Sequence, residues 1–494
     1  MEDQLYSLGS YKHLFTDWML VEPGYGVAWA AEIPGAWEMP HGVTIIAHRP
    51  RVETEPFLRQ DQPWESSVAQ PSLIQDDGLF RAYYRVQAGE NRHQPSGSML
   101  AYAESNDGLT WTKPNLGLIE FDGSTDNNFV YGMDIALGRS IFTGSVFKDS
   151  NPDAPDDERY KMVYRAPDPE RRESIFGAVS PDGIHWRTLE EPLIPGYFSD
   201  TLNVAEFDPR RGKYVGYFRG WTSILPGKLH GRRTIAYSET DDFKHWPNPE
   251  TVVSTGMNDG ADSDIYTNSY TQIPGADAYV MLPAFYQRNI DVMEIHMMLS
   301  RDGVNWERPI QGPIIPRGEP GSAGMGSMSV GKGMISNSPG EWSIPISLRS
   351  GLHNESHYQS KDPKPASDVY FATWREDGFT SLDAESYGEF TTIPFTFDGS
   401  HLKINAWTRF GGDISVEVAD PYGEEMGRFV DGKVAVNAST LEGKTFADCD
   451  PITGDNLERI VTWRGDSDLS SWQGKPIRLR FRMRRARLYS LRFV

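Results

Sequence analysis

Apolar and polar residues alternate with a period of two along most of residues 60–385, in short runs separated by turn residues. Residues 67–87, SVAQPSLIQDDGLFRAYYRVQ, predict a strand, a tight turn and a second strand, and residues 97–104, GSMLAYAE, predict a third. Alternation that is rich in β-branched and aromatic residues is typical of half-buried β-strands. The same order of strands recurs four more times before residue 385, so the pattern predicts an all-β chain built from repeated sheets.

A short phrase follows the third strand of each repeat. It reads SNDGLTWTKP at 105–114 and SRDGVNWERP at 300–309, and its aspartates are spaced 75, 60, 60 and 75 residues apart. Ser and Asp side chains accept hydrogen bonds from turn N–H groups and Gly tolerates positive φ, so the phrase predicts a structural hairpin turn. The aspartates of these boxes are Asp107, Asp182, Asp242, Asp302 and Asp377.

Three strands before each box and one after it make a four-stranded antiparallel unit, and five such units predict a five-bladed β-propeller over residues 1–385. A long β-sandwich with coincidental turns is the alternative. From residue 386 alternating strands continue without regular boxes, which predicts a β-sandwich over residues 386–494. The segment LFTDWMLVEP, residues 14–23, is expected to supply the outer strand that closes the ring.

Composition and charge exclude several kinds of function for this chain. The chain has 494 residues and a formal net charge of −21, which argues against binding to nucleic acid or to anionic membrane surfaces. No apolar run is long enough to span a bilayer, and the first residues lack the pattern of a signal peptide, so a cytoplasmic location is expected unless a leader was trimmed. The single cysteine, Cys449, excludes an internal disulfide and disfavours a thiolate metal site. We expect neither a metal nor a cofactor, and leave a homo-oligomer open.

Three acidic residues lie just before or at the first strand of different repeats. Glu65 and Asp200 each precede their box aspartate by 42 residues, and Asp264 precedes its own by 38. In a propeller these positions surround one funnel, and several carboxylates in one pocket suit glycoside hydrolysis, which needs a protonated acid and an ionised carboxylate. We therefore expect Asp200 and Asp264 to be the principal catalytic pair, with Glu65 as a third carboxylate. The alternative is that these acids only cap turns.

Arginine ends the second strand in most repeats, which predicts a ring of guanidinium groups at the same funnel. These arginines either pair with the funnel acids or recognise an anionic group such as sulfate, uronate or phosphate. Polar and aromatic neighbours complete the expected substrate site. The arginines are Arg85, Arg165, Arg219, Arg288 and Arg349, and the other expected substrate-binding residues are Trp64, Tyr266, Asn268 and His230.

The SxDGxxW boxes, the five repeats and the C-terminal β-sandwich resemble the propeller glycoside hydrolases of the fructosidase and arabinosidase clan, above all glycoside hydrolase family 32. The stretches FSDTLNV, DIYTNS and DGFTSLDA are similar to a group of bacterial propeller proteins labelled family-32-like. The fructosidase motifs WMNDPNG, RDP and EC are absent: PDPERR only echoes the second, and Asp448 precedes Cys449. The resemblance implies an enzyme that hydrolyses O-glycosyl bonds of another oligo- or polysaccharide, one whose glycan could carry charge. A glycoside phosphorylase and a non-catalytic glycan-binding propeller are the alternatives.

Overall fold

The computed structural model describes residues 5–24, 39–88, 98–132, 142–170, 172–225, 228–354, 367–420, 429–430, 433–434 and 440–494. Within these ranges the chain is all-β: the only helical elements are two three-residue 3-10 turns, Asp156–Glu158 and Ser470–Trp472. No described helix has the length and apolarity needed to cross a membrane. The chain forms two compact units. The repeat unit comprises Arg49–Gln272 and Tyr279–Trp374, and the terminal unit comprises Met1–His48, Ile273–Ala278 and Arg375–Val494.

Three sheets of the repeat unit are four-stranded antiparallel meanders whose strands follow chain order. Each begins with the strand that the alternation pattern places first. The first sheet contains Glu65–Asp76, Leu79–Ala88, Ser98–Ser105 and Phe129–Tyr131; the second contains Phe142–Lys148, Tyr160–Pro167, Glu173–Ser180 and Arg187–Thr188; the third contains Val204–Asp208, Lys213–Leu225, Lys228–Thr240 and Glu250–Val253.

The fourth and fifth modules depart from this plan. In the fourth, the strands form two short three-stranded sheets. The first contains Ser263–Thr267, Ala284–Gln287 and Val292–Ile295, and the second contains Tyr270–Gln272, Tyr279–Met281 and Met298–Ser300. In the fifth, Ser327–Val330, Glu341–Arg349 and Ser367–Arg375 are joined by Arg51–Val52 at one edge, and Ile335–Ser338 also pairs with Glu341–Arg349.

The outer strand of the fifth sheet therefore comes from Arg51–Val52, and the expectation that residues 14–23 supply it is wrong. Val52 pairs with Ala372, and the Phe57 ring stacks on Phe371 with centroids 3.9 Å apart. This apolar contact anchors residues 51–58 on the fifth sheet. Residues 14–23 belong instead to the terminal unit, where Leu14 pairs with Ser490.

The first strands of neighbouring sheets are hydrogen-bonded in a closed cycle. Each bond joins one sheet to the next in chain order, and the fifth sheet returns to the first, as in a propeller. The predicted fold class, an all-β propeller, is confirmed. The bonds run from Val146 N to Ser72 Oγ, from Ser145 Oγ to Asn203 O, from Gln272 Nε2 to Phe207 O, from Ser269 Oγ to Gly331 O, and from Lys332 N to Pro71 O.

A second set of hydrogen bonds joins the other ends of these first strands to the following sheet, and we call each tyrosine–aspartate bond of this set a clasp. Tyr279 Oη donates to Asp208 at 2.6 Å and Tyr214 Oη donates to Asp149 at 2.7 Å, in each case from the following sheet. The same clasp joins Tyr160 to Asp76. Because a buried carboxylate without a donor costs several kcal/mol, these pairs fix how each sheet sits against the next.

The boxes are hairpin turns, as expected. In the second box, Ser180 Oγ and Asp182 Oδ1 accept turn N–H groups, and Trp186 Nε1 donates to Gly183 O. Boxes also dock on the preceding sheet: Arg81 donates to the Asp182 carbonyl, and equivalent bonds join Arg211 to Asp302 and Asn337 to Gly108. A box is therefore a contact between sheets as well as a turn.

The fifth box differs from the second in the donors to its aspartate. The carboxylate of Asp377 accepts hydrogen bonds from Lys12, Asn405 and Ser490, all in the terminal unit. Its own backbone adopts φ of 60°. A lysine, an asparagine and a serine from distant parts of the chain thus donate to this aspartate.

The terminal unit is built around one sheet with long, bulged strands. Its order is Thr44–Ala47, Thr380–Thr391, Arg478–Phe493, Leu402–Ala419 and Asp455–Ile460, with His13–Leu14 beside Arg478–Phe493. Tyr6–Ser7 pairs with Phe395–Thr396, and Phe429–Val430 pairs with Lys433–Val434. The core includes Phe390 stacked on Phe481 at 4.7 Å. The unit differs from the expected domain 386–494, because residues 1–48 join it and the strand Thr380–Thr391 crosses the expected boundary.

We expect Gly183→Ala to destabilise the repeat unit by about 3 kcal/mol, from left-handed backbone strain plus overpacking. Gly183 has φ of 80°, and an added Cβ would overlap the hydroxyl of Tyr83 on the preceding sheet. Gly78→Ala is the matched control, since Gly78 has φ of 82° with no atom within 4 Å of an added Cβ. Urea denaturation measures both. Equal losses would show that docking of the box on the preceding sheet contributes nothing.

Candidate functional site

Asp200 and Asp264 meet in one cluster between the third and fourth sheets. Asp200, just before the strand Val204–Asp208, forms an ion pair with Arg219. Arg219 Nη2 also donates to the carbonyl of Tyr266 at 2.5 Å, and Tyr266 lies two residues after Asp264 in the strand Ser263–Thr267. We call Asp200, Asp264, Tyr266 and the arginines Arg219, Arg233 and Arg288 the arginine cluster.

Asp264 is fully enclosed by two arginines. Arg288 donates from Nε and Nη2 at 2.6 and 2.8 Å, and Arg233 donates from its backbone N and from Nη1 at 3.0 and 2.7 Å. Burial alone would raise the pKa of Asp264, but the hydrogen bonds from Arg288 and Arg233 outweigh it and hold the pKa below its ordinary value. Asp264 is therefore an ionised anchor for two guanidinium groups and is unsuited to donate a proton.

Asp200 is the accessible carboxylate of the cluster. Its side chain is 33% exposed, while the side chain of Asp264 is fully buried. Its partner Arg219 is only 2% exposed, and burial lowers the pKa of that guanidinium. A fixed cation behind an open carboxylate orients Asp200 toward solvent.

Aromatic rings separate the arginines. The guanidinium carbons of Arg219 and Arg233 lie 4.4 and 4.9 Å from the centre of the Tyr266 ring. Arg233 also lies 5.1 Å from the Trp221 ring, and the Tyr286 ring meets Tyr266 edge-on at 5.5 Å. Cation–π contacts of this kind hold guanidinium groups in place without using their N–H groups.

His353 completes the site from the fifth sheet. His353 Nε2 lies 2.8 Å from Tyr266 Oη, and its backbone N donates to Asp291 O at 3.0 Å. Burial, with smaller contributions from Arg349, Arg233 and Arg219, lowers the pKa of His353 to about 4 against an opposing effect of Asp291. The imidazole is thus neutral at physiological pH and can accept the Tyr266 proton or donate to its oxygen, depending on the tautomer.

Glu65 lies in a different setting from the other two acids. Lys113 contacts both of its oxygens, at 3.0 and 2.8 Å, Tyr84 Oη donates to it at 3.0 Å, and the backbone N–H groups of Asp61 and Gln62 complete its shell. These partners belong to the first sheet and its flanking loops. The expected meeting of Glu65 with Asp200 and Asp264 is therefore not found, since Glu65 is a buried, lysine-paired anchor.

The other residues expected at the substrate site also fall into two groups, those inside the arginine cluster and those outside it. Arg288 pairs with Asp264 and Arg219 with Asp200. Arg165 instead lies 3.4 Å from Glu173 of its own sheet and 5.6 Å from the Phe198 ring. Trp64 Nε1 donates to Asn128 Oδ1 beside Glu65, away from the cluster. Four other residues were expected at the site. In the sheet ladders Arg85 lies opposite Ala69 and Leu100, and Arg349 lies opposite Ser327. Asn268 is buried, and His230 lies opposite Ser223, with its side chain outside the described residues.

Sequence reasoning missed several members of the site. Arg233 carries no signal in the strand-end pattern, because it lies on the third strand of its sheet; its register opposite Trp221 is what brings it to the cluster. Asp291 and Asn354 were also missed: Asn354 donates from N and Nδ2 to Asp291, which accepts from Tyr286 Oη as well. This loop-to-loop contact follows from tertiary packing alone and has no local sequence pattern.

No family model matches the chain. It is 28% identical over 173 residues to an uncharacterized protein of Mycobacterium tuberculosis strain CDC 1551 / Oshkosh, and 29% identical over 173 residues to one of strain ATCC 25618 / H37Rv. Each match covers 33% of this chain and 50% of the relative, so the chain spans about half the length of the curated relatives it matches.

Several solved structures are similar at low identity. An N-acetylgalactosamine deacetylase from F. plautii in complex with blood group B trisaccharide is 14% identical, with a TM-score of 0.45 over 68% of this chain and 97% of its own. A thermostable family-43 glycoside hydrolase is 13% identical, with a TM-score of 0.41 over 68% and 95%. An exo-inulinase from Aspergillus awamori is 11% identical, with a TM-score of 0.42 over 89% and 99%. Similarity at this level does not establish an activity for this chain.

We expect Asp264→Asn to lower the free energy of unfolding by about 3 kcal/mol at neutral pH, because two arginines lose their buried anion. Since the folded-state pKa of Asp264 is depressed, its contribution exists above the unfolded pKa of about 3.8 and is lost as pH falls through the folded value. Urea titrations of both proteins from pH 7 to pH 2 should therefore show a difference in unfolding free energy that narrows below pH 3.8. A gap that stays constant would contradict the assignment.

His353 should remain neutral from pH 5 to pH 8 in the folded protein. Its lowered pKa means that the unfolded chain binds a proton near pH 6.5 while the folded chain does not, so His353 costs stability increasingly as pH falls from 6.5 toward 4. Imidazole NMR chemical shifts, assigned by comparison with His353→Gln, measure the midpoint. A titration near pH 6.5 would contradict the buried contact with Tyr266.

Proposed function

We propose that the chain is a glycoside hydrolase acting on an oligo- or polysaccharide, with its reaction centre at the arginine cluster. The observation that carries the proposal is Asp200, a carboxylate that is one-third exposed, held by the buried Arg219, and set among aromatic rings. Aromatic faces with a few fixed polar groups are the usual lining of a small-ligand site.

A glycosidase needs a second carboxyl group, and Asp262 is the one best placed. Asp262 precedes Asp264 by two residues, is partly exposed, and its carbonyl accepts from Arg288 N at 3.2 Å. Asp264 cannot take this part because two arginines occupy both of its oxygens. In this assignment Asp264 positions the arginines, and Asp200 and Asp262 react.

The chemistry then follows the two-carboxyl scheme. One group donates a proton to the leaving glycosidic oxygen, while the other, ionised, attacks the anomeric carbon or removes a proton from the attacking water. After nucleophilic attack, the first group removes a proton from water, which breaks the glycosyl–enzyme bond and frees the second carboxylate. After water activation, the second group holds the proton of the attacking water, and exchange with solvent restores both groups. NMR of the products gives their anomeric configuration. Retention would assign nucleophilic attack, and inversion would assign water activation.

Phosphorolysis is the second candidate, and the guanidinium groups beside Asp200 favour it. A glycoside phosphorylase uses phosphate as the attacking group and needs one carboxylic acid and a basic phosphate site. Turnover that requires inorganic phosphate and releases a sugar phosphate would select this reaction over hydrolysis.

Asp200→Asn and Asp262→Asn should each reduce kcat by at least 100-fold, the range expected for loss of an acid–base group. Thermal melting of Asp262→Asn should stay within a few degrees of the wild type, since that side chain is partly exposed. Asp200→Asn should lower the melting temperature, because the buried Arg219 loses its carboxylate partner, so kcat is measured well below that temperature. Glycan-panel hydrolysis with product analysis provides the measurement.

Glu65→Gln is the matched control for these variants. It should lower the melting temperature, because Lys113 loses its buried partner, but it should keep kcat within a few-fold of the wild type. Full activity in both Asp200→Asn and Asp262→Asn, or a large loss of kcat in a well-folded Glu65→Gln, would refute the assignment.

A further inference from the structure

The arginine cluster holds more hydrogen-bond donors than its protein acceptors use. Arg233 commits its backbone N and Nη1 to Asp264, and Arg288 commits Nε and Nη2. Among the described residues Arg233 Nη2 and Arg288 Nη1 donate to no protein acceptor. The buried Nε atoms of Arg219 and Arg233 and the indole Nε1 of Trp221 are also without one.

Guanidinium groups outnumber the carboxylates that they bind directly. Arg219, Arg233 and Arg288 pair with Asp200 and Asp264. Arg232 donates to the carbonyls of Ser263 and Ala261, each at 2.7 Å. Asp262 and Asp291 also lie nearby, so the difference concerns direct ion pairs and not the total charge. Burial is the main cause of the lowered pKa of His353, and Arg349, Arg233 and Arg219 add to it against the opposing effect of Asp291. This concentration of positive charge occurs in a chain whose formal net charge is −21.

The excess is held in a partly open position. The side chains of Arg233 and Arg288 are 22% and 44% exposed, and both are fixed by the same buried carboxylate. A guanidinium that is already oriented loses little entropy on binding, and its planar fork matches an oxyanion in a two-point contact. Asp264 thus preorganises both guanidinium groups, and Arg233 Nη2 and Arg288 Nη1 are left for a ligand that reaches them from solvent.

We propose that Arg233 and Arg288 form a subsite for an oxyanion carried by the substrate sugar, a carboxylate or a sulfate ester. This inference rests on the proposed function, and it names the substrate class: a uronic acid or a sulfated glycan. Free inorganic phosphate has the same recognition chemistry, so the experiment must separate an anion borne by the sugar from a phosphate that acts as co-substrate.

The test compares three sets of oligosaccharides with the intact protein: neutral chains, chains containing uronic acid, and sulfated chains. We expect measurable kcat/KM on one of the two anionic sets and at least tenfold less on the neutral set. Arg233→Lys and Arg288→Lys should each raise KM for the anionic substrate at least tenfold, with a smaller change in kcat, because an ammonium keeps the charge but loses the fork.

Arg308→Lys is the matched control. Arg308 forms a two-point pair with Asp259 at 2.6 and 3.1 Å, outside the arginine cluster. Its loss should leave KM within twofold of the wild type. Calorimetric binding of uncleaved uronic-acid and sulfated oligosaccharides to Asp200→Asn gives a second readout that does not depend on turnover.

The outcomes separate the two proposals. Hydrolysis of neutral and anionic chains with equal kcat/KM, or KM values that neither arginine variant changes, would overturn the subsite and leave the hydrolase standing. Saturable binding of an anionic chain without hydrolysis, weakened tenfold in Arg288→Lys, would support the subsite and refute the hydrolase. Turnover of neutral chains that requires inorganic phosphate, with the KM for phosphate raised in both variants, would overturn the sugar-borne anion. No binding and no turnover with any chain would overturn both.

Discussion

The buried carboxylate is the constraint on which this structure depends. Asp76, Asp149 and Asp208 lie at the ends of the first strands of three successive sheets, and each accepts a hydrogen bond from a tyrosine of the following sheet. Lys148 and Lys161 of the second sheet pair with Asp76 and Asp149. Because buried carboxylates are costly without their donors, the tyrosine bonds favour one register of each sheet against the next. The same strand that ends at Asp208 begins just after Asp200, and the clasp at one end therefore determines where the acid at the other end must lie.

At the Asp200 end of the strand, arginine takes the place of tyrosine as the donor to a carboxylate. Arg219 of the third sheet bonds both Asp200 and the Tyr266 carbonyl of the fourth, and Arg233 reaches Asp264 across the same boundary. Burial separates the two acids chemically. Asp264, saturated by four hydrogen bonds, keeps a lowered pKa and acts through the arginines it holds, whereas Asp200 keeps an open face. Two aspartates with equivalent places in the repeat thus acquire different roles through solvent access.

Much of the fold could be predicted from the sequence, because strands and box turns depend on residues that are close together in the chain. Alternation marks the strands, and the box residues bond their own turn, as Ser180 and Asp182 do. The site was less predictable. Counting back from the box placed Glu65 level with Asp200, which assumes first strands of equal length, but Glu65–Asp76 has 12 residues and two irregularities while Val204–Asp208 has five. Side-chain partners such as Lys113 for Glu65 come from packing, and spacing along the chain does not reveal them.

Arginine–carboxylate pairs elsewhere in the chain show what sets the cluster apart. Two cations also share one carboxylate at Glu239, with Arg211 and Lys213, but the side chain of Glu239 is 28% exposed. At Asp264 two guanidinium groups share a carboxylate whose side chain is fully buried. Burying charged groups costs desolvation energy. An anionic ligand would offset part of that cost, because it would accept the N–H groups that the protein leaves over.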